Sequence, residues 1–341
     1  MTAPAEARAP VIDFHVHMLE PEVFRASTNK TVFTGFGANP MPAPRPGAAG
    51  MMQRMFDAEA VIADLDARGI DVGVISSSTV LQGTSWADPA SDAALCRRCN
   101  EQAVDWQSRY PARFVGSMVL PLQAPGLALA ELRRAADEDG LRVVNAASSY
   151  AGAYLGDARF DAFWAEVARR GLVVWIHPEG VRDPWFQDYA LWNSLGQSIE
   201  EAKVMASLIY SGVMARYPEL KVVIAHGGGY FPHYLGRMDR NTANRPDTAR
   251  NIGGRRPSEF LRAFHYDACV YDPAVLMVLI ERVGADRLVM GSDYPVGEAD
   301  PLGWLRACGV AGDDWQAIAG GNAARLLGLA AAAPTTTISS Q

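Results

Sequence analysis

The stretch "VIDFHVHMLEPE", residues 11–22, decides how the rest of the chain is read. An apolar run ends in His15 and His17, two imidazoles one residue apart. Residues i and i+2 of a strand point to the same side, so both rings aim one way while Phe14 and Val16 pack the other. Two polar rings closing an apolar strand imply a shared partner at the strand's carboxyl end.

Runs rich in Val, Ile and Leu recur: "DVGVISSS" (71–78), "RFVGSMVLP" (113–121), "LRVVNAAS" (141–148), "LVVWIHPEG" (172–180), "LKVVIAHGGG" (220–229), "FHYDACVY" (264–271) and "RLVMGSDYP" (287–295). With "PVIDFHVH" (10–17) they make eight. Strands alternating with helical patterns predict a parallel sheet with crossover helices, and eight such pairs match an α/β fold, the (β/α)8 TIM-type barrel. "AEAVIADLDARG", "FDAFWAEVARRG" and "PAVLMVLIERVG" have helical periodicity, and the first two end at a Gly suited to a left-handed cap. The expected organisation is one barrel domain over 1–329 and a frayed tail over 330–341. Two insertions are expected, after strands 1 and 5. Residues 20–56 are rich in Pro and Gly, and 181–219 carry "DPWFQDYALWNSLG" and then an amphipathic helix. Both follow strands, so both belong to one face of the barrel.

An apolar fraction of 49% with 20% charged residues is globular composition. A net charge of -7 without a basic run argues against nucleic acid and for a small-molecule partner. No window approaches the roughly 18 to 20 apolar residues of a membrane span, and the first ten residues lack the apolar centre of a signal peptide. A cytoplasmic protein that engages no membrane is expected. Cys96 and Cys99 have redox spacing, but "SDAALCRRCNEQAVDW" is a helical stretch, so they read as ordinary helix cysteines.

Of the six histidines, His15 and His17 end the first strand, His177 the fifth and His226 the sixth, and Asp293 ends the eighth. In a parallel barrel those carboxyl ends converge on one mouth, where catalytic groups of this architecture sit. His15, His17, His177 and Asp293 supply the nitrogen and oxygen ligands that zinc or another borderline divalent ion prefers, with a position left open. His265 begins the seventh strand and belongs to the far, structural end. Asp272, directly before Pro273, suits a helix cap. Gly227, Gly228 and Gly229 lack phosphate-loop spacing and read as a close turn beside the metal.

"DFHVH", "HPEG", "AHGGGYFPHYLGRMDR", "MGSDYP" and "GNAARLLGL" resemble, in order from residue 11 to about 329, the amidohydrolase superfamily. The closer resemblance is to its decarboxylase branch, typified by the aminocarboxymuconate-semialdehyde, resorcylate and carboxyvanillate decarboxylases. The resemblance implies His15, His17, His177 and Asp293 as metal ligands, with Zn2+ or Mn2+ as the ion. It implies His226 as a catalytic histidine and Arg237 as the binder of a substrate carboxylate, in its own subunit or across a homodimer interface. No lysine ends the fourth or fifth strand, so one ion is expected rather than a bridged pair, with Glu179 standing just past strand 5. A second substrate arginine that the aminocarboxymuconate enzyme carries in the loop before its first barrel helix has no clear counterpart, Arg45 and Arg54 being merely nearby, and His233 stands where that enzyme is apolar.

The implied activity is metal-dependent, non-oxidative decarboxylation of an aromatic or muconate-type acid. Asp293 would return a proton to the carbon that loses CO2, and His226 would hold water or polarise a developing oxyanion. Trp185, Phe186, Tyr189 and Trp192 offer an aromatic wall for a planar substrate, and His233 a polar contact. The same groups also suit hydrolysis of a carbon–carbon bond, ester or lactone, or hydration of a double bond; a barrel with a vestigial site is the noncatalytic alternative.

Overall fold

The computed structural model describes residues 9–32 and 48–329. Arg45, the Pro-rich part of the first insertion and the expected tail at 330–341 lie outside them. Eight parallel strands follow in chain order: β1 (Ile12–Met18), β2 (Val72–Ser77), β3 (Phe114–Met118), β4 (Val143–Ala146), β5 (Val173–Ile176), β6 (Lys221–Ile224), β7 (Phe264–Asp267) and β8 (Leu288–Val289). Each pairs with the next, and the ends meet just beyond β8. There Phe14 N donates to Met290 O at 2.9 Å, His17 N to Tyr294 O at 3.1 Å and Tyr294 N to His15 O at 3.0 Å. A nearly closed (β/α)8 barrel results.

The crossovers are α1 (Ala58–Ala67), α2 (Pro89–Arg109), α3 (Pro125–Asp137), α4 (Asp161–Arg170), α5 (Gly196–Tyr210), α6 (Gly236–Asn244) and α7 (Pro273–Val283), with α8 (Asn322–Leu327) near the end. Asp57, Asp88 and Asp272 cap α1, α2 and α7 by accepting backbone N–H groups of the first turn. The long segment after β5 is short turns over 184–194 followed by α5, so much of it is the crossover helix itself. Among the described residues no helix is long and apolar enough to cross a membrane.

One apolar cluster gathers Ile12, Phe14, Val74, Val143, Trp175 and Val223 from strands all round the barrel, closed below by Ala323 and Leu326 of α8. A larger cluster, Val16 included, fills the layer between strands and helices. Phe14 therefore departs from the simple alternation. Asp13 pairs with Gly73 but Val16 with Ile75, so β1 carries one extra residue against β2. Such a bulge turns the following side chains by half a pleat. It lets Phe14 join the inner cluster while His15 and His17 still face the mouth. Phe14 packs on Trp175 at 5.7 Å between ring centroids, and Trp175 on His15 at 4.9 Å.

Cys96 and Cys99 lie buried and free on α2, and burial pushes the Cys99 thiol up to about 12 and Cys96 well above its usual value. Neither can supply a thiolate at neutral pH, as expected of helix cysteines.

Candidate active site

His15 and His17 lie in β1, His177 directly follows β5, His226 stands two residues past β6, and Asp293 four past β8. All occupy the carboxyl mouth of the barrel. His15 and His17 rings are 4.9 Å apart, His15 and His177 5.0 Å, His17 and His177 5.0 Å, and His177 and His226 5.1 Å. Ligand atoms of His15, His177, His226 and Asp293 fall within 4.8 Å of one another. His17 joins through Asp293, whose Oδ1 lies 3.1 Å from His17 Nε2 and 3.2 Å from His15 Nε2. His226 and Asp293 both take left-handed backbone angles, φ 49° and 55°. Such strain in non-glycine residues persists only where the surroundings over-determine it, as happens at functional sites.

The residues behind the cluster select which ring nitrogen faces inward. Asp267, the last residue of β7, meets His15 Nδ1 at 2.7 Å, so in the neutral ring that nitrogen carries the proton and Nε2 the lone pair. His177 Nδ1 lies 3.0 Å from both Pro178 O and Thr79 Oγ1, with the same consequence. Glu201, fully buried on α5, meets His226 Nδ1 at 2.5 Å. Asp13 holds the rim together: its Oδ1 accepts from His15 N and Ser292 N, each at 3.0 Å. The turn after β6 is also built for closeness. A Cβ on Gly229 would stand 2.6 Å from Glu201 Oε2, and Gly227, Gly228 and Gly229 all have positive φ.

Burial holds the His177 imidazole well below its ordinary pKa, reinforced by the neighbouring histidines. Burial also lowers His17, against the pull of Asp293. It opposes charge on His15 too, but Asp293 and Asp267 win and carry that ring up to about 10, so without an ion Nε2 holds a second proton, which a bound cation would displace. At Asp293 the imidazoles of His15 and His17 overcome the burial penalty, and the carboxyl stays well below its usual range. His15 Nε2 and His17 Nδ1 are buried without a hydrogen-bond partner, an unusual condition for polar atoms. A carboxylate ringed by imidazoles with inward lone pairs is a donor set that a divalent cation satisfies.

The chain matches the Amidohydrolase family over residues 12–329. It belongs to that family. This amidohydrolase is 32% identical over 278 residues to the 2-amino-3-carboxymuconate-6-semialdehyde decarboxylase of Dictyostelium discoideum, covering 80% of this chain and 77% of that one. It superposes on the 5-carboxyvanillate decarboxylase of Sphingomonas paucimobilis with a TM-score of 0.81 and 26% identity, over 94% of this chain and 99% of that one. A dihydroxybenzoic acid decarboxylase from Polaromonas, solved with bound manganese, shares the fold at a TM-score of 0.80 and 23% identity, over 94% and 97% of the two chains.

In this amidohydrolase the residues read as substrate contacts are not drawn into the cluster. Arg237 is exposed in the first turn of α6 and, among the described residues, makes no ion pair. Trp185 is 66% exposed and packs on Phe186. His233 is half-buried in the turn before α6, with Arg282 of α7 as its charged neighbour. Arg54 is committed elsewhere, to both oxygens of Asp64 at 2.5 and 2.6 Å. Glu179 faces Ser85 and Arg182 rather than the imidazoles.

Asp13, Thr79, Glu201 and Asp267 are not among the residues that the sequence singles out. An acid ending a strand was the one signal available for Asp267. Because outer-shell carboxylates orient metal-bound histidines, Asp267→Asn is expected to weaken metal affinity by about 10- to 100-fold. Competition with a chromophoric chelator measures this directly, and an unchanged dissociation constant would remove Asp267 from the site.

Proposed function

We propose that this amidohydrolase is a metal-dependent, non-oxidative decarboxylase of a small aromatic or muconate-type carboxylic acid. The observation that carries the reading is the donor set at the mouth, with the outer nitrogens of His15 and His177 already engaged by Asp267, Thr79 and Pro178. The ligands in this reading are His15, His17, His177 and Asp293. Their nitrogen-rich chemistry favours zinc, with manganese the second choice. When bound, the ion supplies positive charge against a substrate oxygen and so favours the negative charge left as the carboxyl group departs.

The protein's own groups handle orientation and the proton. Asp293 Oδ2 faces His226 Nε2 at 4.0 Å and the Tyr271 hydroxyl at 3.4 Å, a gap in which a proton can be passed. As the carbon–carboxyl bond breaks, its electron pair stays on the ring or chain carbon. That carbon takes the proton held by the Asp293–His226 pair, and CO2 leaves. His226, steadied by Glu201, polarises the oxygen that bears the developing charge.

Arg237 offers a two-pronged cation for a substrate carboxylate, and its exposed, unpaired state suits a contribution to the site of a second copy in a homodimer. Trp185, on the same face, is the proposed aromatic wall. His233 keeps a buried, unpartnered Nε2, which supports a polar contact there. A cytoplasmic setting fits a small-acid substrate.

Metal-loaded protein incubated with candidate phenolic and muconate-type acids is expected to release one CO2 per substrate consumed. Consumption without CO2 would replace this reading with hydrolysis or hydration. Elemental analysis of the active preparation decides between zinc and manganese.

A further inference from the structure

The opposite end of the barrel holds a second polar cavity, of about 400 Å3, built by the segments that lead into β6, β7 and β8 and by α8. Its wall carries Lys221, Arg262, Arg287 and Arg325 against two carboxylates, Glu219 and Asp286. Asp286 serves two arginines at once, Arg262 at 3.0 Å and Arg287 at 3.2 Å. Among the described residues Lys221 reaches only a backbone carbonyl, Leu326 O at 3.2 Å, and the Arg325 guanidinium only the Asn322 side chain. Positive charge is therefore in excess.

Two buried polar atoms on this wall lack hydrogen-bond partners: His265 Nδ1 and Arg287 Nε. Arg287 Nε is near Asp286 yet outside hydrogen-bond geometry. Arg287 Nε keeps its ion pair with Asp286, but a buried polar atom left unmet in a native protein, as His265 Nδ1 is, calls for an occupant. Burial, together with Arg287, Arg325 and Lys221, lowers the His265 pKa to about 4, against Asp286, so its ring stays neutral and one nitrogen is free to donate.

We propose that this cavity at the amino-terminal face is a binding site for a small dianionic oxyanion, of phosphate or dicarboxylate type. Arg287 and Arg325 would grip it, Lys221 would add charge, and His265 would donate one hydrogen bond. The site is separate from the metal cluster, because the strand-side residues lining it precede a strand or fall within its first two residues, whereas the cluster lies toward the carboxyl end of β1 and past the ends of β5, β6 and β8.

The test titrates the full-length, metal-loaded protein with inorganic phosphate in one arm and succinate in the other. The readout is the ring NMR signals of His265, assigned by their loss in His265→Asn. A saturable shift, with the His265 pKa moving upward, is expected in at least one arm, and the tighter arm identifies the anion class. Arg287→Gln and Arg325→Gln should each weaken that binding about tenfold or more and leave turnover unchanged. Anions that bind at the metal cluster would be unaffected by either substitution. The absence of a saturable His265 response in the wild-type protein, or wild-type affinity retained in both variants, overturns the proposal; the wild-type titration stands even where a variant fails to fold.

Discussion

Replacing His15 and His17 together by alanine is expected to empty the mouth of its ion and lower turnover by about a thousandfold or more. The pair supplies two of the four proposed ligands, and the two that remain cannot compensate. His177 alone would offer a lone pair, and Asp293 would lose the imidazoles that hold its carboxyl well below the usual range. Both consequences point the same way, because a carboxylate that picks up a proton ligates less well. The fold should survive, since the apolar layer beneath, Phe14 and Trp175, is untouched. Metal content by elemental analysis, turnover and the far-ultraviolet circular dichroism are measured on one preparation. Full turnover in a folded double variant would end the metal-centred reading.

The second large effect concerns His226. His226→Ala should lower kcat by roughly 10²- to 10⁴-fold, the range of a lost acid–base group, and leave the ion in place. The distinction matters because ligand atoms of His226 and Asp293 share the same cluster. Stoichiometric metal loss in His226→Ala would instead make His226 a ligand. Glu201→Gln is the milder partner of this change, expected to cost about 10- to 100-fold, because the amide keeps a hydrogen bond but no longer selects the Nδ1–H tautomer. Burial, against the attraction of His226, raises the Glu201 pKa to about 7. The carboxylate is the working form, so activity is expected to fall as pH drops through that region and to hold above it. Glu201→Gln should flatten this acid limb of the kcat profile, and a limb that persists unchanged would assign it to another group.

The histidines at strand ends were legible because period-2 alternation and the apolar run are local signals, readable without knowing what a strand pairs with. Glu201 was not. In "SIEEAKVMASL" two adjacent acids on a helix look like a solvated face, and only the fold shows that Glu200 meets Ser148 and Tyr154 while Glu201 turns inward to His226. Asp13 was hidden for a similar reason, since an acid inside an apolar strand declares a need for partners but not their identity. The placement of Phe14 failed on register. The extra residue in β1 exists only relative to β2, so no reading of β1 alone can find it.

By itself the sequence determined the count and order of the strands, and the end of the barrel at which His15, His17, His177, His226 and Asp293 stand. Hydrophobic periodicity and chain direction are properties of short segments. Only the tertiary structure decided which nitrogen of each ring points inward and which carboxylate stands behind it. Asp267 and His15 are 252 positions apart and meet at 2.7 Å, a contact that exists only because the strands close into a barrel.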